Sequence, residues 1–529
     1  MTATAPAPSG ANSVLKPAML LMCGRTLAFI ATFFIPVVLA RIFDPAQFGT
    51  YKQLFLIHST AYFIAQVGMA SSLYYFLPQA GETAGKYVAN SVVFLGLAGC
   101  AGFALLAIAA PWVAKWMSNP ALAGYLWWTG LYLALMMFSA SLEIVLISQG
   151  KYLWASISYA VSDLGRAAAL IAPVLIFRNL ESLLIASVVV AALRLIAAVG
   201  YFHSTFGRTF RPDGPVLRKQ LAYALPFGAA VLVEIFYGSL PQYVVSFLAN
   251  PATFAVFAVG CLQIPLVDFA ASPTSDVMMV KMQENLARGH LATVLEIWHD
   301  TFWKLALLFF PLVALVIVEG RDIILALFTA KYAASIPLFR IWSLLILMAT
   351  LQLDGVLRVY AETRYILMLN LMRLAIVGIL IAPSMKYFGL LGPVGVIVLA
   401  TVAFKTGALI RVVRLFQTPW AEFLPWRRTA ILGGAAVAAS LAAAMFKTAV
   451  SLRPLLSLLS ASTIYSVVYI ALVWRLGLIT DNEKTALTGW LSRRLFRRAA
   501  PAARAEDITT TAKREDAREL CAESPASSV

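Results

Sequence analysis

DPAQFGTY, running from Asp44 to Tyr51, and NPATFAVF, running from Asn250 to Phe257, are two copies of one short pattern. Each reads Pro-Ala-x-Phe with an aromatic residue three positions after the Phe. Each follows an apolar stretch and introduces another. A bilayer core takes about 20 apolar residues as one helix. Fourteen such stretches lie near 17–40, 54–77, 88–113, 122–147, 152–177, 180–202, 221–247, 254–279, 302–318, 334–356, 365–383, 389–410, 428–446 and 455–474. The two copies therefore follow spans 1 and 7. Six is even, so spans 1–6 and 7–12 begin on the same side of the membrane and form two parallel repeats. Such repeats are a mark of secondary transporters, with the substrate path between them. The pattern predicts an all-α integral membrane protein of about 14 transmembrane helices, with two six-helix lobes around a central cavity and two extra C-terminal helices. The divisions are a cytoplasmic segment 1–16, an N-lobe 17–202, a basic linker 203–220, a C-lobe 221–410, spans 13–14 within 411–474, and a tail 475–529.

Composition agrees. Of 529 residues, 61% are apolar and 12% charged, against about 45–50% and 25% in soluble domains. A soluble enzyme, a disordered protein and a disulfide scaffold are excluded. The net charge of +16 needs placing. With the N-terminus in the cytoplasm, 25 of the 41 Lys and Arg fall on the cytoplasmic side, nine outside and seven within spans. This asymmetry orients both termini inward. Residues 484–499 put Leu487, Trp490, Leu491 and Leu495 on one helical face and Arg493, Arg494, Arg497 and Arg498 on the rest. That is a basic amphipathic helix suited to an anionic leaflet, and the residues from Pro501 onward are polar and compositionally disordered.

Charges at membrane depth are functional candidates, because each is costly to place there. Arg25 lies about 12 Å into span 1 at 1.5 Å per residue. Asp163 and Arg166 share one face of span 5 at i, i+3 and can pair. Arg373 follows Asn370 in span 11. Asp354 and Arg358 form an i, i+4 pair in span 10. Lys304, Arg340, Lys405 and Arg194 are close enough to span ends to extend to the interface. Glu143, Glu234 and Asp268 are intramembrane acids. A buried carboxylate can take a proton or sodium ion, which makes Glu234 and Asp268 the candidates for ion coupling. Pro226 and Gly228 before Glu234 suggest a broken helix. Asp44 reads as a turn residue before Pro45.

No cysteine or histidine stands in a metal-ligand spacing, so no metal or other cofactor is expected. The chain has no Walker A sequence. It also has no loop carboxylate pair of the kind a membrane transferase uses, and no nucleic-acid partner is indicated. The carriers of function are then the deep arginines, which favour an anionic cargo over the cation of a multidrug antiporter. A non-transporting membrane scaffold is the other alternative.

The stretch FFIPVVLARIFDPAQFGTYKQLFLI, Phe33 to Ile57, resembles the first-span signature of the polysaccharide-biosynthesis (Wzx-type oligosaccharide flippase) branch of the multidrug/oligosaccharidyl-lipid/polysaccharide exporter superfamily. Arg41, Pro45, Phe48, Gly49 and Tyr51 fill the pattern. YYFLPQ (Tyr74–Gln79), ILALFTAKYAASIPLFRI (Ile324–Ile341) and YFGLLGPVGVIVLAT (Tyr387–Thr401) resemble later family segments, and the likeness spans residues 15–475. The resemblance implies flipping of a polyprenyl-diphosphate-linked oligosaccharide across the bacterial inner membrane, through a cationic cavity between two lobes. It implies a single chain working beside a polymerase and glycosyltransferases, and Arg25 occupies the position of a span 1 arginine that members use on substrate. The physics agrees, since an Arg fork matches diphosphate oxygens. The lipid II flippase of that superfamily carries further arginines in spans 1, 2 and 8, whereas this chain has none in span 2 or span 8, and Asp268 lies in span 8 instead.

Overall fold

The computed structural model describes residues 32–450 and 453–478, and all regular structure among them is helical. Helix α1 (Thr32–Ile42) is the described end of the first span. The second span is α2 (Pro45–Gln66) and α3 (Met69–Phe76), bent by 44° at the break. Then come α4 (Ala84–Trp116), α5 (Leu122–Phe138) with α6 (Leu142–Ser148), α7 (Tyr152–Phe177) and α8 (Leu180–Phe206). The second half begins with α9 (Gly214–Leu248). Its second span is α10 (Pro251–Gly260) and α11 (Pro265–Ala287), bent by 51°. It continues with α12 (Leu291–Phe328), α13 (Ile336–Ala349) with α14 (Leu353–Val359), α15 (Thr363–Phe388) and α16 (Leu391–Phe416). The short α17 (Trp420–Phe423) leads to α18 (Trp426–Ala449) and α19 (Pro454–Arg475). Eleven segments are long and apolar enough to cross a bilayer, or thirteen when each bent pair is one span. Arg25, the rest of the expected first span and the basic helix at 484–499 lie outside the described residues.

The repeated motif is a helix start. Asp44 accepts from the Gln47 N–H at 2.8 Å, and the Gln47 side chain accepts from the Asp44 N–H at 3.3 Å, a reciprocal capping box. Asn250 accepts from the Thr253 N–H at 2.8 Å. In both copies the Pro takes the first helical position, where its missing N–H costs nothing. Asp44 is therefore an N-cap, and span 2 begins about nine residues before its apolar core. The copies pack on each other: Gly49 lies so close to the Pro251 carbonyl that a Cβ has no room, and Phe48 and Phe254 are both buried in the same core.

Helix α9 runs antiparallel along the whole second span. Gln53 donates to Ser246 Oγ at 2.7 Å, and Thr60 donates to Ser239 at 3.4 Å. Farther along, Gly228 abuts the Val67 backbone, and Tyr223 stacks on Tyr75 with centroids 4.8 Å apart. The break expected at Pro226 and Gly228 is not there, because α9 is one helix through Pro226 and Pro241. Each proline removes one hydrogen bond, and packing against α2, α3 and α15 holds the helix across the gap. The breaks fall instead at Val67–Gly68, 139–141, 261–264 and 350–352. They interrupt the second and fourth spans of each half. Interrupted helices in corresponding positions of two repeats are the sequence-level pointer to a transporter's binding region.

Candidate functional site

The first half gathers its charges around the break between α5 and α6. Glu143, on α6, accepts from Arg194 of α8 at 2.8 Å and from Ser158 of α7 at 2.8 Å. Arg194 also donates to Ser139 at 3.1 Å. One turn deeper on α7, Asp163 and Arg166 form the i, i+3 ion pair at 2.9 Å that their spacing suggested, and Arg166 donates to Thr32 of α1 at 3.0 Å. Tyr132 closes the cluster, with its ring 4.6 Å from His58 of α2. The cavity lined by Tyr132, Asp163, Arg166 and Arg194 has a volume of about 40 Å³. That space is of the order of one water, so this conformation holds no diphosphate there. Arg194 also walls a larger groove of about 710 Å³ between α7 and α8, with Trp154, Val161 and Leu193 on its apolar sides and Lys151 at one end.

The second half arranges its charges differently. The Arg373 guanidinium lies 3.3 Å from the centroid of Tyr237 and 5.3 Å from that of Phe404. Its Nε is buried without a hydrogen-bond partner. Among the described residues Arg373 makes no ion pair. Glu234 stands one turn before Tyr237 on α9, within electrostatic reach of Arg373 but not bonded to it. Asp268 sits in the first turn of α11, immediately after the break, and lines a cavity of about 160 Å³ with Gln263, Phe339, Trp342 and Ser343. Among the described residues, no group of three or more His, Cys, Asp or Glu is placed to hold a metal ion.

Residues 38–337 match the family model described as polysaccharide biosynthesis protein. The chain belongs to that family. Its fold is that of the exporter superfamily. It is similar to the lipid II flippase MurJ in an inward closed conformation, with a TM-score of 0.66 and 14% identity over 86% of this chain and 98% of the other. It is also similar to an inward-facing multidrug resistance MATE family transporter of the MOP superfamily, with a TM-score of 0.58 and 14% identity over 74% of this chain and 96% of the other. No curated protein matches the sequence.

Within this family member the structure redistributes the charges read from sequence. Asp354 does not pair with Arg358. It accepts from Lys405 at 2.9 Å, and Lys405 also donates to the Leu351 carbonyl at 2.8 Å, beside the break between α13 and α14. Lys405 and Arg194 are thus tied inward rather than extended to the interface, whereas Lys304 pairs with Asp300 on an exposed surface. Arg41 donates to the Leu327 carbonyl at 2.9 Å and to that of Ala326, and Lys331 donates to the Phe43 carbonyl at 3.3 Å. These bonds lock the two halves at the motif end. Sequence reasoning missed Lys52, which it left in a loop. Lys52 lies two turns into α2, half-buried, with its ammonium over the Phe48 ring and no ion pair among the described residues. The capping box at Asp44 was the available signal, because it starts the helix early enough to include Lys52.

Proposed function

We propose that the protein flips a polyprenyl-diphosphate-linked oligosaccharide from the inner to the outer leaflet of the bacterial inner membrane, by alternating access, for surface polysaccharide biosynthesis. The observation that carries this reading is the paired architecture: two halves broken at the same spans and joined at one end by two copies of one motif, in a polysaccharide biosynthesis family member. Such halves can exchange one closed end for the other around a central path. Lys52 and Arg373, cations that rest on aromatic rings rather than carboxylates, are free to exchange those contacts for diphosphate oxygens. Arg25 joins them from the first span. Arg166 is held in position by Asp163, and its fork reaches the headgroup when the pair opens. The polyprenyl tail stays in lipid. The motif end faces outward, both termini face the cytoplasm, and Glu234 and Asp268 supply ion coupling to H⁺ or Na⁺.

The test replaces Arg373 with Ala and separately with Lys, at matched membrane abundance, and scores surface polysaccharide. The reading expects loss with Ala and partial retention with Lys, because a point charge reproduces attraction without the fork. Full polymer from both variants removes Arg373 from the substrate path. An effect from every substitution alike, charge-conserving ones included, favours a scaffold.

A further inference from the structure

Far from the cluster around Arg166, α12 carries a second set of charges that no part of the transport cycle above uses. Glu319 and Asp322 are one turn apart on one face of α12 and turn toward α18 and α19. Glu319 is completely buried and Asp322 is 8% exposed. Lys447, in the last turn of α18, reaches both: its ammonium is 3.1 Å from Glu319 Oε2 and 2.7 Å from Asp322 Oδ2. Ser457, in the first turn of α19, donates to the same Asp322 oxygen at 2.7 Å. The other oxygen of Glu319, Oε1, is buried and has no hydrogen-bond partner. Two buried carboxylates therefore share one ammonium.

The remaining cations nearby do not correct the balance. Arg321 lies between the carboxylates in sequence but is exposed on the far face of α12. Arg340, from α13, lays its stem on Gly320 and keeps an exposed side chain. Arg453 precedes α19 and is exposed, and Lys331 in the 3-10 turn before α13 donates to the Phe43 carbonyl. Helix α11 packs along residues 293–313 of α12, away from the cluster. Among the described residues, none of these groups pairs with Glu319 or Asp322.

We propose that Glu319, Asp322 and Lys447 form a proton-binding site that ties the last two helices to the second half. One proton on Glu319 converts its carboxylate to a carboxylic acid and leaves a neutral Asp322–Lys447 pair with Ser457 as its further donor. An uncompensated buried charge is costly to hold, and a single proton removes it. Glu319 is the acceptor because it is the deeper carboxylate, has the longer contact with Lys447 and has its other oxygen buried without a partner. A metal ion fits worse, since hard cations take about six or more oxygen ligands and the site offers two carboxylates and one hydroxyl. Protonation also turns the Lys447–Glu319 ion pair into a weaker contact between an ammonium and a neutral carboxyl, so the hold of α18 on α12 depends on whether the site is filled. The site lies outside the motif, the breaks and the arginine clusters, and its test is independent of the cargo.

The full chain in lipid nanodiscs is stepped from about pH 9 to about pH 5 while infrared difference spectra are recorded. A protonated-carboxyl band is expected to appear in the wild type and to be missing from Glu319→Gln. Lys447→Met, which leaves the two carboxylates without their shared cation, is expected to move the band to higher pH by about one unit, a tenfold gain in proton affinity. The same band in Glu319→Gln as in the wild type overturns the proposal. If Glu319→Gln does not fold, an unmoved band in Lys447→Met overturns it equally.

Discussion

Gly49→Ala tests whether the motif end is a gate or only a packing contact. The added Cβ falls against the Pro251 carbonyl. That obstacle is backbone, so no rotamer change relieves it. Overpacking costs about 1–3 kcal/mol. If the two copies separate in one state of the cycle, the cost applies only to the joined state. About 2 kcal/mol then changes the ratio of joined to separated molecules roughly thirtyfold. Spin labels at Ala46 and Ala333, exposed positions in the first and second halves, report the separation by double electron–electron resonance in nanodiscs. The expected result is a new long-distance population in Gly49→Ala. Gly124→Ala, where a Cβ meets nothing within 4 Å, is the control and keeps the wild-type distribution. A lower melting temperature with unchanged distances would refute the reasoning, because the cost would then fall on folding rather than on a gating equilibrium.

Two further outcomes follow from the buried and surface pairs. Glu143→Leu or Arg194→Met alone strands a buried charge and is expected to destabilise by about 3–5 kcal/mol. The double variant loses less than the sum of the two, as measured by unfolding in a double-mutant cycle, and strict additivity would show the two residues to be independent. Asp213, which caps α9, has its carboxyl held below the usual range, first by the Lys86 hydrogen bond and then by the Val216 N–H. A depressed value in the folded state means that this stabilisation is complete above about pH 4 and is lost as pH falls through the folded value. Melting temperature is expected to fall less steeply on the acid side in Asp213→Asn than in the wild type, and equal slopes contradict the assignment.

The span pattern was legible because lipid demands long apolar helices with satisfied backbones. Tyr152–Phe177 coincides with its apolar stretch. Where the sequence misled, the helices outran their greasy centres. Helix α12 runs from Leu291 to Phe328, well past the apolar stretch at 302–318, because Glu319 and Asp322 find Lys447 on another helix. The pairing of Asp163 with Arg166 was readable, since both lie on one helix. The pairings of Glu143 with Arg194, and of Asp354 with Lys405, join residues about fifty positions apart. No periodicity within one helix reveals such partners. The breaks were equally opaque. Val67 adopts a left-handed conformation beside Gly68, and what faces it is Gly228, from the other half. Pro226 and Gly228 of α9 looked like a break and were not one.

The central claim is movement of a lipid-linked sugar, and the most direct measurement is made in vesicles. The purified full chain is reconstituted with a polyprenyl-diphosphate-linked oligosaccharide placed in the inner leaflet, and arrival of the glycan at the outside is read with an impermeant lectin. The account predicts lectin-accessible glycan accumulating in wild-type vesicles, strongly slowed by Arg373→Ala and by Lys52→Ala. Exposure no faster than in protein-free vesicles would contradict it.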